Sequence, residues 1–99
     1  GHPVDVDCET ICDGVAVPYI TEEMFPLLSD LADEVVLVSE DEVKQTIRCL
    51  ATRAHLVAEG AGALATAAAL RTPVADRGRT VCIITGGSID ADKLGMILQ

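Results

Sequence analysis

Apolar positions in this chain fall into two kinds of run, and the alternation between them predicts an architecture. From Thr21 onward, Met24, Phe25, Leu27, Leu28 and Leu31 recur at helical spacing, with Thr21 as N-cap and Glu22 and Glu23 in the first turn, where the helix dipole favours negative charge. Pro26 lacks an amide hydrogen, which places the start of regular helix at that residue. The next run, EVVLV at 34–38, is short, continuous and β-branched, as in a strand buried on both faces. Ser39 and Glu42 then match a capping box, and Val43, Ile47, Leu50, Ala51 and Ala54 form one face of the helix that follows through residue 57. EGAGALATAAAL, residues 59–70, predicts a helix whose missing bulk suits close packing against backbone or ligand. Pro73 ends it, and residues 71–79 read as a loop. TVCIIT, residues 80–85, predicts a second buried strand, and Ser88 or Asp90 caps a last helix to about Leu98. The Asp13-Gly14 pair marks a strand end or loop beside the core.

Strands alternating with helices and joined by short loops predict an α/β fold: an open parallel sheet with helices on both faces. Two strands, or three with the start of the chain, make a thin sheet, so the segment reads as part of a larger one. Residues 1–99 are read as a single segment, with 1–9 partly irregular or a tag.

Composition narrows the function. Of 99 residues 49% are hydrophobic, yet Tyr19 and Phe25 are the only aromatics, so the apolar content is aliphatic and suits tight helix–sheet packing. A net charge of −9 repels phosphate backbones and argues against nucleic-acid binding. No long uncharged apolar run calls for a membrane. Four cysteines, Cys8, Cys12, Cys49 and Cys82, show no compact disulfide framework and read as reduced, buried thiols of a cytoplasmic protein. His2 and His55 complete no zinc spacing with them, and no metal site is expected.

Three stretches invite chemistry. Thr85-Gly86-Gly87-Ser88 leaves a predicted strand at its carboxyl end and leads into a helix, the edge at which open α/β sheets bind ligands; a tight turn with a serine cap explains the same residues. Glu59 stands at the foot of a glycine-rich helix start, where it either orients a ligand or stabilises the helix dipole. Gly14 belongs to a turn. Lys44 and Lys93 lie among acids and are expected as their solvated partners.

Taken in order, TICDGVAV, FPLLSDLADEVVLVSEDEV, LVAEGAGALATAAAL and VCIITGGSID resemble the C-terminal part of the catalytic domain of the threonine/serine dehydratases. These are pyridoxal-phosphate enzymes of the tryptophan-synthase-β fold type and relatives of serine racemase. The resemblance runs from about Thr10 to Leu94. It implies β-elimination of ammonia from L-threonine or L-serine to a 2-oxo acid, with a small amino acid as substrate; racemase activity stays open. It implies that Thr85 offers its hydroxyl to the pyridine nitrogen, in place of the family's serine, and that Gly86 and Gly14 let the backbone pass close to the cofactor. Glu59 matches a glutamate near cofactor and substrate. Ser88 replaces the usual asparagine and Cys12 the usual alanine. No residue here matches the family's Schiff-base lysine or its glycine-rich phosphate loop, so these 99 residues are expected to be inactive alone and to need the N-terminal half of an enzyme or a homo-oligomeric partner. The other reading is a small non-catalytic α/β interaction module.

Overall fold

The computed structural model describes all 99 residues. Five helices carry the regular structure: α1 (Met24–Leu31), α2 (Glu40–Cys49), α3 (Gly60–Arg71), α4 (Val74–Arg77) and α5 (Ala91–Leu98). A 3-10 turn, Asp13–Val15, lies against α3, and α2 packs on both α3 and α5.

The capping box of α2 forms as the sequence predicts. The Ser39 hydroxyl accepts from the Glu42 amide at 3.2 Å, and the Glu42 carboxylate accepts from the Ser39 amide at 2.8 Å. The bond from the Ser39 amide first, and then one that the Ser39 hydroxyl donates to the same carboxylate at 3.0 Å, hold the Glu42 carboxyl below its usual range, and Arg71 adds to the effect. Val43, Ile47 and Leu50 then point into the core, Ala51 is half-buried and Ala54 is exposed. The helix does not run to residue 57. After Cys49 it widens into a π-helical turn, Leu50–Ala54, and His55 adopts a left-handed conformation (φ 56°). The Leu56 amide donates back to the Leu50 carbonyl at 3.0 Å, a closure one residue wider than the six-to-one bond of a Schellman motif, and the helix ends without a glycine.

Helix α1 starts at Met24, two residues before Pro26. The amides of Met24 and Phe25 both donate to the Thr21 carbonyl at 3.1 Å, and the Thr21 hydroxyl accepts from Met24 at 3.3 Å. Proline in the first turn costs no hydrogen bond, because the amides there have no partner within the helix. One turn of helix, α4, occupies the expected loop after Pro73 and ends at Gly78, whose φ is +63°. Helix α5 begins after Asp90, although the Asp90 side chain caps no amide.

The two predicted strands form no helix and pair with nothing. None of the 42 backbone–backbone hydrogen bonds involves residues 34–38 or 79–85. Their side chains alternate in environment: Cys82 and Ile84 are half-buried, while Val81 is 91% and Ile83 70% exposed. Val38 packs on the core, but Val35 and Leu37 are each 82% exposed. The expectation of burial on both faces is therefore corrected. The helices half-cover Cys82 and Ile84 on one side of the second segment and only Val38 of the first, and leave the rest open.

What core there is sits between α2, the start of α3 and residues 11–12. Cys12, Val43, Ile47, Leu50, Ala58 and Ala63 form it, with Ile84, Ile89, Leu94 and Ile97 packed around the edge. Only 10 of 99 residues are buried, a small core for a chain of this length. Of the four thiols only Cys12 is buried; Cys49 and Cys82 are half-buried and Cys8 is exposed, which corrects the expectation that they are buried throughout. Burial pushes the Cys12 thiol up, and the Glu40 and Asp13 carboxylates add to the shift. No helix is long and apolar enough to cross a membrane.

Candidate functional site

Three segments distant in sequence meet at the start of α3, and glycine is what lets them meet. A Cβ on Gly60 would stand 2.3 Å from the Ile11 carbonyl oxygen, and one on Gly62 would stand 2.3 Å from that of Gly86. A Cβ on Gly87 would come within 2.5 Å of the Val57 carbonyl oxygen. All three approaches are shorter than any real side chain allows, so backbone here packs directly on backbone. The Glu59 amide fastens the junction by donating to the Gly86 carbonyl at 3.1 Å.

This junction gathers Gly14, Glu59 and Gly86. One carboxylate oxygen of Glu59 lies 2.0 Å from where a Gly86 Cβ would be, and the other lies 3.9 Å from the corresponding point on Gly14. Ala61 stands 3.1 Å from that same point on Gly14. Glu59 is the N-cap residue of α3, but its side chain caps no amide. Its carboxylate turns instead toward the glycines of the neighbouring loops. Thr85, the fourth residue singled out from sequence, immediately precedes Gly86 and is exposed.

Beside the junction lies a cavity of about 90 Å³ lined by Asp13, Glu59, Gly60, Ser88, Asp90 and Lys93, among others. Lys93 is half-buried there and Lys44 is exposed, and neither forms the expected ion pair with a neighbouring acid. A wider groove of about 480 Å³ between α2 and α3 holds Arg48, Arg53 and Arg71 but none of the residues gathered at the junction. The small cavity is the better candidate, because three separate segments converge on it. Sequence reasoning passed over Asp13 and Lys93, whose helical or turn context signalled only solvated charge. It also passed over Thr10 and Glu40. The Thr10 hydroxyl donates to the Glu40 carboxylate, and the Ile11 amide lies 3.3 Å from both of its oxygens.

Comparison with known proteins decides the family. The sequence pattern of the family described as pyridoxal-phosphate dependent enzyme matches residues 1–86. This chain belongs to that family. It is 43% identical over 91 residues to the L-threonine ammonia-lyase of Geobacter sulfurreducens, an alignment covering 91% of this chain and 23% of that protein. It is 32% identical over 102 residues to the catabolic L-threonine dehydratase TdcB of Staphylococcus aureus, covering 99% of this chain and 29% of the relative. The crystal structure of a threonine deaminase from T.th. superposes with a TM-score of 0.80 at 30% identity, over 89% of this chain and 30% of that one. The chain thus spans less than a third of the relatives it matches.

Proposed function

We propose that these 99 residues are the C-terminal segment of the catalytic domain of a pyridoxal-phosphate-dependent threonine/serine dehydratase, and that the glycine junction is its share of the cofactor site. The observation that carries the reading is that the Glu59 carboxylate lies between Gly14 and Gly86, beside a junction where Gly60, Gly62 and Gly87 let backbone meet backbone. Residues present fit a flat aromatic ring: bare backbone at Gly14 and Gly86, a carboxylate between them, and the exposed hydroxyl of Thr85 next in chain. When bound, pyridoxal phosphate supplies an electron sink for bonds at the α-carbon of an amino acid. The chain's own part is to seat and tune that ring. Thr85 offers the pyridine nitrogen a neutral hydroxyl, which does not force protonation there as a carboxylate would. That tempers the sink and suits elimination over longer-lived carbanion chemistry. Gly14 and Gly86 let the backbone close on the ring, and Glu59 presents its carboxylate near ring and substrate.

The substrate is a small hydroxy amino acid, L-threonine or L-serine, which loses water across its α and β carbons and takes water back as the resulting imine hydrolyses, so that the net products are ammonia and a 2-oxo acid. The unpaired backbone at 34–38 and 79–85 and the open apolar faces support a parallel sheet completed by the rest of the enzyme, which also supplies the catalytic lysine and the phosphate loop. Free thiols and acidic composition support a cytoplasmic setting.

The test is cofactor binding and 2-oxo acid formation by the complete polypeptide that carries this segment. Characteristic cofactor absorbance with turnover of threonine or serine is the expected result. Thr85→Val should weaken cofactor affinity by about five- to tenfold, a hydrogen bond's worth. A complete polypeptide that takes up no cofactor sinks the reading.

A further inference from the structure

The loop that carries Gly14 is held from outside the junction by a residue that touches none of the gathered groups. Glu40, the first residue of α2, receives the Thr10 hydroxyl on its carboxylate and has the Ile11 amide 3.3 Å from each oxygen. Thr10 in turn accepts from the Cys12 amide at 3.1 Å. The 3-10 turn follows directly, with the Val15 amide donating to the Cys12 carbonyl at 3.0 Å and Ala16 to that of Asp13 at 3.1 Å. A continuous hydrogen-bonded path therefore runs from Glu40 through Thr10 and Cys12 to the turn that contains Gly14. From the other side, Gly60 leaves room for the Ile11 carbonyl and Cys12 is buried in the core, so the loop settles against α3 while these bonds tie it to α2. First-turn position explains a carboxylate at residue 40 by the helix dipole alone. It does not explain why that carboxylate turns back to clasp a loop 29 and 30 residues away in sequence.

From this geometry we infer that Glu40 is a positioning residue. Its clasp on Thr10 and Ile11 sets the loop so that Gly14 faces the cofactor at the right distance. The inference builds on the function proposed above.

The experiment compares four variants of the complete enzyme, Glu40→Ala, Glu40→Gln, Thr10→Val and Thr10→Ser. Three quantities are read: the cofactor dissociation constant by absorbance titration, hydrogen exchange of the peptide spanning residues 10–16, and melting temperature of the cofactor-free protein. Glu40→Ala and Thr10→Val should each raise the dissociation constant about five- to tenfold and speed exchange in that peptide. Glu40→Gln keeps an acceptor and Thr10→Ser keeps the hydroxyl, so both should stay within about twofold of wild type. A dipole role alone would make Glu40→Gln and Glu40→Ala alike in melting temperature, and would leave cofactor affinity and loop exchange unchanged; that result overturns the inference. Failure of the wild-type enzyme itself to bind cofactor is a different outcome, because it removes the proposed function and this inference together.

Discussion

Two regions of this molecule make opposite demands on the same backbone. At the start of α3, loops 10–12, 57–59 and 86–87 are pressed so close that Cβ atoms on Gly60, Gly62 and Gly87 would overlap carbonyl oxygens. Along 34–38 and 79–85 the backbone bonds to no other backbone, and Val35, Leu37, Val81 and Ile83 lie open to solvent. The first region is finished within the chain. The second has the side-chain pattern of a buried sheet with neither the ladder nor the second layer. Local sequence can favour a strand, but a ladder takes a partner strand, and neither segment pairs with another here.

The contrast gives a series of tests. Ile47 is 1% exposed at the centre of the finished part, so Ile47→Ala should destabilise the chain by about 2–5 kcal/mol in chemical denaturation; a change below about 1 kcal/mol would mean that this core does not hold the chain together. Gly62→Ala comes next. In an open helix that exchange gains about 1 kcal/mol, but here the new methyl meets the Gly86 carbonyl, and overpacking of that kind should cost about 1–3 kcal/mol. The sign of the change reads out the backbone contact. Gly78, with nothing within 4 Å but a φ of +63°, serves as the control, where strain and not contact opposes alanine.

Ser39→Ala removes the cap of α2 and should cost about 1 kcal/mol near neutral pH. The Glu42 carboxyl is held below its usual 4.5, chiefly by the Ser39 amide and then by the Ser39 hydroxyl, so its stabilising contribution is present above that value and fades as pH falls through the lowered one. The gap between wild type and Ser39→Ala should therefore narrow in acid, and a gap that widens there contradicts the cap geometry. Smallest of all, Ile83→Thr on the open face should change the stability of the isolated chain by less than about 0.5 kcal/mol. In the complete enzyme the same substitution should cost about 1 kcal/mol or more if that face is covered. Equal small effects in both would show that the face stays open.

Much of this was legible beforehand, and the reasons are local. Ser39 and Glu42 satisfy each other within one turn, so four residues suffice to place the start of α2. Gly60 and Gly62 in a stretch of alanines announced a close approach, although what approached, the carbonyls of Ile11 and Gly86, required the folded chain. The end of α2 was not legible, because a π-turn and a left-handed His55 replace the glycine that normally marks such a stop. The clasp between Glu40 and Thr10 was hidden for a different reason. An acid in a first turn already has a sufficient local explanation, and nothing in the linear sequence shows that it also reaches across 30 residues.

By itself the sequence determined where α2 starts and that α1, α2, α3 and α5 are helical, because capping bonds and side-chain periodicity act over a few residues. The ordered motifs also carried the family. Only the tertiary structure decided that Gly14, Glu59 and Gly86 share one place, that Lys93 turns inward beside them, and that one face of each extended segment has no cover. Those outcomes depend on contacts between residues far apart in the chain, and such contacts exist only once the backbone has closed on itself.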